Sequence, residues 1–157
     1  MTREVVADLI RHKKDGKPLV AVGTTSVRTL ESLPYVGRAI IRGEEHPHVS
    51  QWEAYEQESN EIDTIKTLEA IVAYLDERGE ESLTASTAIM IAPGFHWRMV
   101  DVMVTNFHQP QSTLLLLVSS FLGEENGEPR WRTIYEEALA GDYRFLSYGD
   151  ACLFFKG

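Results

Sequence analysis

Cysteine is nearly absent from this sequence: Cys152 is the single thiol among 157 residues. That excludes an internal disulfide framework and paired-cysteine zinc motifs, and it fits a reducing compartment, so the cytoplasm is the expected location. Long apolar runs are also missing. The longest candidate, Leu114 to Val118 with Phe121 and Leu122, is broken by Ser119 and Ser120, and it falls short of the roughly 18 to 20 apolar residues that a membrane helix needs. No membrane partner is expected. The N-terminal stretch MTREVVADLIRHKKDG lacks the apolar centre and small-residue cleavage site of a signal peptide. Bases are scarce, with 15 Lys and Arg against 24 Asp and Glu and a net charge of -9. What remains is an ordinary globular composition, 43% hydrophobic, and a chain of this length buries roughly 70% of its unfolded surface, enough for one core.

The charge is unevenly placed. Residues 1–43 hold eight bases and four acids, residues 44–81 two bases and twelve acids, and residues 82–157 five bases and eight acids. A polyanionic partner would therefore have to meet the N-terminal part, because phosphate binding needs local Lys and Arg. A solvated acidic face without a partner is the more frequent meaning of such a middle segment.

The pattern predicts alternating helices and strands, an α/β fold with a layered sheet and flanking helices. Thr2 is placed to cap a helix to about Lys14 that carries Val5, Val6, Leu9 and Ile10 on one face. Pro18–Val22 reads as a short buried strand, followed by the turn Gly23-Thr24-Thr25-Ser26 and a helix from Val27 to Leu33 stopped by Pro34. Residues 35–60 read mostly as irregular. Ile62, Ile65, Leu68, Val72 and Leu75 give a helix over 60–78, with Asn60 as the N-cap and Gly79 as the stop. Strands are expected at Thr87–Ile91 and Val100–Phe107, with Asp101 and Thr105 projecting to one side. Ser112 is placed to cap a buried helix through Leu122, and an amphipathic helix follows from Trp131 to Leu139.

Three clusters carry candidate chemistry. Gly23-Thr24-Thr25-Ser26 ahead of a helix offers unpaired N–H groups and hydroxyls to an anion, with Arg28 one turn further on; a plain capped turn is the alternative. Asp101, Thr105, Asn106, His108, Ser112 and Thr113 crowd the end of one strand and the start of a helix, where open α/β sheets bind ligands. His108 titrates near neutrality and is suited to moving a proton, with Asp101 to orient it or to hold sugar hydroxyls; a structural histidine and a carboxylate holding backbone N–H groups are the alternatives. Arg144, Ser147, Tyr148 and Asp150 form the third cluster, either a base-stacking and amine-accepting group or a closing turn with an Arg to Asp pair. No metal site is expected, since the histidines are scattered and His46-Pro47-His48 reads as a loop.

The segments GTTSVRTLES (23–32), APGFHWRMVDVMVTNFHQPQSTLLLLVSSF (92–121) and YRFLSYGDACLFF (143–155), taken in that order, resemble the S-adenosylmethionine:tRNA ribosyltransferase-isomerases of queuosine biosynthesis. The resemblance covers most of this chain but only the C-terminal portion of the family's usual length. It implies a fragment of a larger two-domain α/β plus β-barrel protein. Residues 1–157 would be the C-terminal part of the α/β catalytic domain, with an acidic insertion at about 34–82 and the missing N-terminal half as partner. The implied reaction transfers and isomerises the ribosyl moiety of S-adenosylmethionine onto 7-aminomethyl-7-deazaguanine at the tRNA wobble position, in the anticodon loop, to give epoxyqueuosine. S-adenosylmethionine is then a consumed ribosyl donor and no methyltransferase glycine motif is expected. On this resemblance His108, Asp101 and Asn106 are the catalytic candidates, with His108 the first choice of base. Thr24, Thr25, Ser26, Arg28, Thr105, Ser112, Thr113, Arg144, Tyr148 and Asp150 are the substrate-binding candidates. Gln109 and Leu116 depart from the family pattern, where leucine and methionine are expected. Two rival functions stand beside this one: a non-catalytic RNA-binding or partner-docking module of the same fold, and a nucleoside transferase acting on a small molecule.

Overall fold

The structure, a computed structural model, describes residues 1–109 and 112–157. Its first unit is helix α1 (Arg3–Lys14), capped by the Thr2 hydroxyl, which accepts from the Val5 N–H, and anchored through buried Val6 and Leu9. Strand β1 (Val20–Val22) leads directly into helix α2 (Thr24–Ile41). Pro34 does not stop this helix, contrary to the sequence expectation. A proline removes one helical hydrogen bond and strains the preceding turn, but here residues 31–39 are all buried, and burial of Leu33, Tyr35, Val36 and Ala39 outweighs that local cost.

Helix α3 (Thr64–Arg78) packs on both α1 and α2. Its N-cap is Asp63, whose carboxylate accepts from Lys66 N at 3.0 Å, so the expected cap at Asn60 and a helical start at 60 are corrected. The reason is the preceding 3-10 turn at Gln57–Glu61, which already uses those residues. Gly79 ends α3 in the left-handed conformation at φ 64°, as expected for a glycine stop. Gly37 permits the close crossing of α2 and α3: a Cβ there would lie 2.1 Å from the Thr67 carbonyl oxygen.

The region read as irregular thus contributes the second half of α2, a short strand β2 (His48–Val49) and two 3-10 turns. β2 pairs in parallel with β3 (Ser86–Thr87). The strand expected over 87–91 shrinks to this pair, although Ala88 N and Met90 N still donate to Val49 O and Gln51 O at 2.8 and 2.9 Å.

The main sheet has the order β1-β4-β7, with β4 (Val102–Asn106) parallel to β1 and antiparallel to β7 (Ala151–Phe155). Between β4 and β7 lie helix α4 (Thr113–Leu122), capped by Ser112, a hairpin of β5 (Glu124–Glu125) and β6 (Glu128–Pro129), and helix α5 (Arg130–Ala140). Tyr135 and Ala138 are buried in α5, as its periodicity predicts. The core joins Val6, Val27, Leu68, Ile71, Met103, Val118 and Phe121 into one cluster. No described helix is long and apolar enough to cross a membrane.

The basic N-terminal segment is not an open cationic surface. Arg3 is bonded to Asp76 and Lys14 to Glu69, so α1 and the acidic α3 neutralise one another; Arg11 and Lys17 bond Asp8 and Asp15 within their own segment. Arg38 and Glu53 form an ion pair at 2.6 Å that is nearly buried. Among the described residues, Arg28, Lys66, Arg98 and Arg144 are the bases outside any ion pair. A polyanion therefore finds little uncompensated charge on α1, which corrects the expectation drawn from the sequence balance.

Candidate functional site at the carboxyl edge of the parallel strands

β1 and β4 run side by side and end at the same edge, where their helices α2 and α4 follow. Gly23, at φ 86°, turns the chain there and donates its N–H to Val104 O at 2.8 Å. A left-handed φ of this size suits glycine, and no side chain caps the α2 N-terminus behind it. Thr25 and Ser26 are exposed and Thr24 is half-buried. Arg28 is bent inward: its Nη2 donates to Ile89 O at 3.0 Å. It borders a cleft of about 50 Å³ shared with Ile89, Ile91, Thr113, Leu114 and Leu117. Arg28 and Thr113 are thus brought together, in a cleft well below the roughly 300 Å³ at which ligand pockets begin. The site is an open edge.

Thr105 and Asn106 point to opposite faces of β4. Thr105 is buried and its Oγ1 lies 2.9 Å from His108 Nε2, while the backbone N–H of His108 donates to the Tyr135 hydroxyl at 3.0 Å. Burial lowers the His108 pKa below its ordinary 6.5, which keeps the imidazole neutral near pH 7 and competent to accept a proton. On the other face, Asn106 Nδ2 donates to Asp150 O at 3.2 Å and Gly149 O at 3.4 Å. It clamps the loop that precedes β7 against the end of β4.

That loop is closed by its own bonds. Arg144 N donates to Asp150 Oδ2 at 2.7 Å, Asp150 N to Arg144 O at 2.8 Å, and Leu146 N to Phe107 O at 3.0 Å. Asp150 therefore holds the Arg144 backbone, not its guanidinium, which stays exposed. Tyr148 is 98% exposed at the loop tip. At the base of the loop, Phe107 meets Tyr135, Tyr143 and Phe145 at ring centroid distances of 5.3, 5.7 and 5.2 Å. Cys152 pairs across the ladder with Thr105, and burial, reinforced by Asp150, pushes its thiol up to about 11. It is no thiolate near neutrality.

Asp101 is not part of this edge. It precedes β4 at the opposite end of the strand, where its Oδ2 accepts from Leu19 N at 2.9 Å and lies 3.8 Å from Lys13 Nζ. The structure does not bring it together with His108, because Thr105 lies four residue steps along the strand from Asp101, roughly 13 Å of rise. Ser112, by contrast, spends its hydroxyl on the α4 N-terminus, accepting from Leu114 N at 3.2 Å.

One residue escaped the sequence reading. Glu31 is fully buried in α2 and its carboxylate accepts from Arg98 N, Met99 N and Val100 N at 3.0, 3.0 and 2.8 Å. The signal was its spacing, for Val27, Glu31 and Tyr35 recur every four residues and all three are buried. Among the described residues, no three His, Cys, Asp or Glu side chains converge to hold a metal ion.

The model of the family described as "Queuosine biosynthesis protein" matches residues 1–154. The chain belongs to that family. It is 35% identical over 156 residues to an S-adenosylmethionine:tRNA ribosyltransferase-isomerase of Bradyrhizobium sp., a match covering 99% of this chain and 31% of the relative. A protein of the same name from Nitratidesulfovibrio vulgaris is 37% identical over 153 residues, 98% of this chain and 29% of the relative. The crystal structure of S-adenosylmethionine tRNA ribosyltransferase from Thermotoga maritima superposes with a TM-score of 0.58 at 31% identity, covering 96% of this chain and 38% of that one. The chain thus spans about a third of the length of the curated relatives it matches. The sequence resemblance to this family and the α/β fold are both borne out.

Proposed function

We propose that these residues form the C-terminal part of the catalytic domain of an S-adenosylmethionine:tRNA ribosyltransferase-isomerase, acting in the cytoplasm on the anticodon loop of tRNA. The observation that carries the reading is the meeting, at one strand edge of a chain that belongs to the family, of the Gly23 turn, the Thr105–His108 pair and the Asn106-clamped loop. This edge fits one wall of a site for the ribosyl donor. Thr24, Thr25, Ser26 and Thr113 offer hydroxyls, the α2 N-terminus offers N–H groups, and Arg28 offers the nearest positive charge. S-adenosylmethionine would supply the ribosyl group as a consumed co-substrate. His108, neutral and half-buried, is the group suited to take the proton that the isomerisation requires, and the hydrogen bond to Thr105 fixes its ring. Exposed Tyr148 and Arg144 are placed to meet the nucleic acid, by stacking and by charge.

The test is made in the full-length Nitratidesulfovibrio vulgaris relative, at the positions aligned with this chain. Changing the residue equivalent to His108 to alanine should lower ribosyl transfer by at least about a hundredfold, the usual scale for a lost general base, while donor affinity changes little. Near wild-type transfer would remove His108 from the reaction. Tight tRNA binding by that relative without any affinity for S-adenosylmethionine would favour a non-catalytic RNA-binding module instead.

A further inference from the structure

The main sheet has two faces of very different exposure. Residues paired across neighbouring strands project to one side, so Val20, Val102 and Phe155 form one row and Val22, Val104 and Leu153 the next. Val20, Val22, Leu153 and Phe155 on the two flanking strands are 52, 68, 57 and 65% exposed, while Val102 between them is 8% exposed and Val104 is half-buried. The opposite face, with Ala21, Met103 and Phe154, lies in the core. Sheets built on parallel strands are normally covered on both faces, and contiguous exposed apolar rows of this kind mark a protein–protein surface. β1 is also an edge strand, with one side of its backbone unpaired in the ladder.

We infer that this face is the seat of the polypeptide that makes up the rest of the family's length. The inference rests on family membership and is independent of the proposed reaction. Relatives are matched over only 31 and 29% of their length, so each contains about twice as much further chain, and the uncovered rows are where this unit has apolar surface to give it. None of the six side chains is charged, so the face has nothing to offer a phosphate backbone and much to offer an apolar helix or strand. The rows also lead to the candidate site. The next pair on the same face is Asn106 with Ala151, and Asn106 is the residue that clamps the 144–150 loop. A segment seated on Val22 and Leu153 therefore reaches the open edge beside Asn106.

The test compares the same substitution in two proteins. Val22→Lys and Phe155→Lys in this chain change exposed side chains and should leave its melting temperature within about 2 °C of the parent. The equivalent changes in the full-length Nitratidesulfovibrio vulgaris relative bury a charge under the covering segment and should lower its melting temperature by at least about 5 °C. Should the lysine variants of the relative be insoluble, Leu153→Ala gives a milder reading, with a loss of stability in the relative and none in this chain. Equal, small effects in both proteins would overturn the inference. So would sedimentation showing this chain to be a dimer that Val22→Lys converts to monomer, since the face would then belong to a second copy. Both measurements are made without S-adenosylmethionine or tRNA, so failure of the proposed reaction leaves them untouched.

Discussion

The Glu31 carboxylate, buried in α2, accepts the backbone N–H of Val100 at 2.8 Å. Together with the bonds from Arg98 and Met99 it ties the helix that follows β1 to the segment that leads into β4. The two parallel strands are thus held not only by their ladder but by a carboxylate acting as a cap for three successive N–H groups. The register that puts Gly23 beside Val104, and so builds the candidate edge, depends on this tie.

Glu31→Gln should therefore destabilise the fold, since the amide replaces one acceptor oxygen with a donor and leaves a buried N–H unpaired, at a cost of about 1–3 kcal/mol. Urea denaturation measures it. Burial raises the Glu31 pKa above the ordinary carboxyl value, outweighing the opposing backbone bonds. The folded state then binds more protons than the unfolded one between the unfolded and folded pKa values, so stability falls as pH rises through that window. The variant should lose that slope; an unchanged pH dependence would mean that the carboxyl is fully ionised throughout.

Gly37→Ala separates packing from helix propensity. Alanine is the better helix former by about 1 kcal/mol, yet its Cβ would meet the Thr67 carbonyl oxygen at 2.1 Å and the Thr67 Cβ at 2.8 Å. The crossing of α2 on α3 must open, and a net loss of about 1–3 kcal/mol is expected from overpacking. A stabilised variant in chemical denaturation would show that the two helices adjust freely.

How far the sequence reveals this architecture depends on the range of the forces involved. Thr2, Gly79 and Ser112 were legible as caps because capping is local, and the helices of Ile65 to Leu75 and Ser112 to Leu122 follow from apolar period alone. Pro34 misled because the force that carries α2 through it is tertiary: Tyr35 and Val36 are buried against other elements that no local window contains. The candidate edge was legible in part for the same reason. Thr105 and His108 are three residues apart and their meeting is a local matter. Asp101 is only four residues from Thr105, but its partners Leu19 and Lys13 are more than eighty residues away in sequence. Glu31 escaped the sequence reading: its place on an apolar stripe is a local signal, but the N–H groups it bonds come from residues 98–100, far along the chain.

His108 provides a prediction about pH. Its folded pKa is lowered by burial from the ordinary 6.5, so the folded state binds fewer protons than the unfolded state in the window below about pH 6.5. Its contribution to stability is complete above that pH and is lost as pH falls through the lowered value. NMR titration of the ring should give a midpoint below 6.5, and Thr105→Val, which removes the hydroxyl at 2.9 Å from Nε2, should shift it. A midpoint at or above 6.5 would contradict the burial described here.

Gly149→Ala should disturb the candidate site with little effect elsewhere. A Cβ at this position would lie 2.2 Å from Arg144 O, the same carbonyl that accepts from Asp150 N, so the loop cannot close as it does. Asn106 holds this same end of the loop through Gly149 O and Asp150 O. In the full-length relative the equivalent change should weaken donor or tRNA binding at least about tenfold, the loss of roughly 1.4 kcal/mol, with melting temperature nearly unchanged. Unaltered affinity for both would place the loop outside the site.

Asp101→Asn tests where the structure parts company with the sequence. On sequence grounds the carboxylate is a candidate to orient His108, and the change should abolish transfer. In the fold Asp101 holds Leu19 N at 2.9 Å and faces Lys13 and Lys156 at 3.8 and 4.0 Å, at the opposite end of β4 from His108. Asparagine retains an oxygen for the Leu19 N–H and loses only two long, part-exposed ion pairs, each worth about 0–1 kcal/mol. A small loss of stability in denaturant, reduced further at high salt, is therefore expected, together with ribosyl transfer in the full-length relative within a fewfold of the parent. Abolished transfer with an intact fold would return Asp101 to the reaction and would require a path from one end of the strand to the other that the described contacts do not provide.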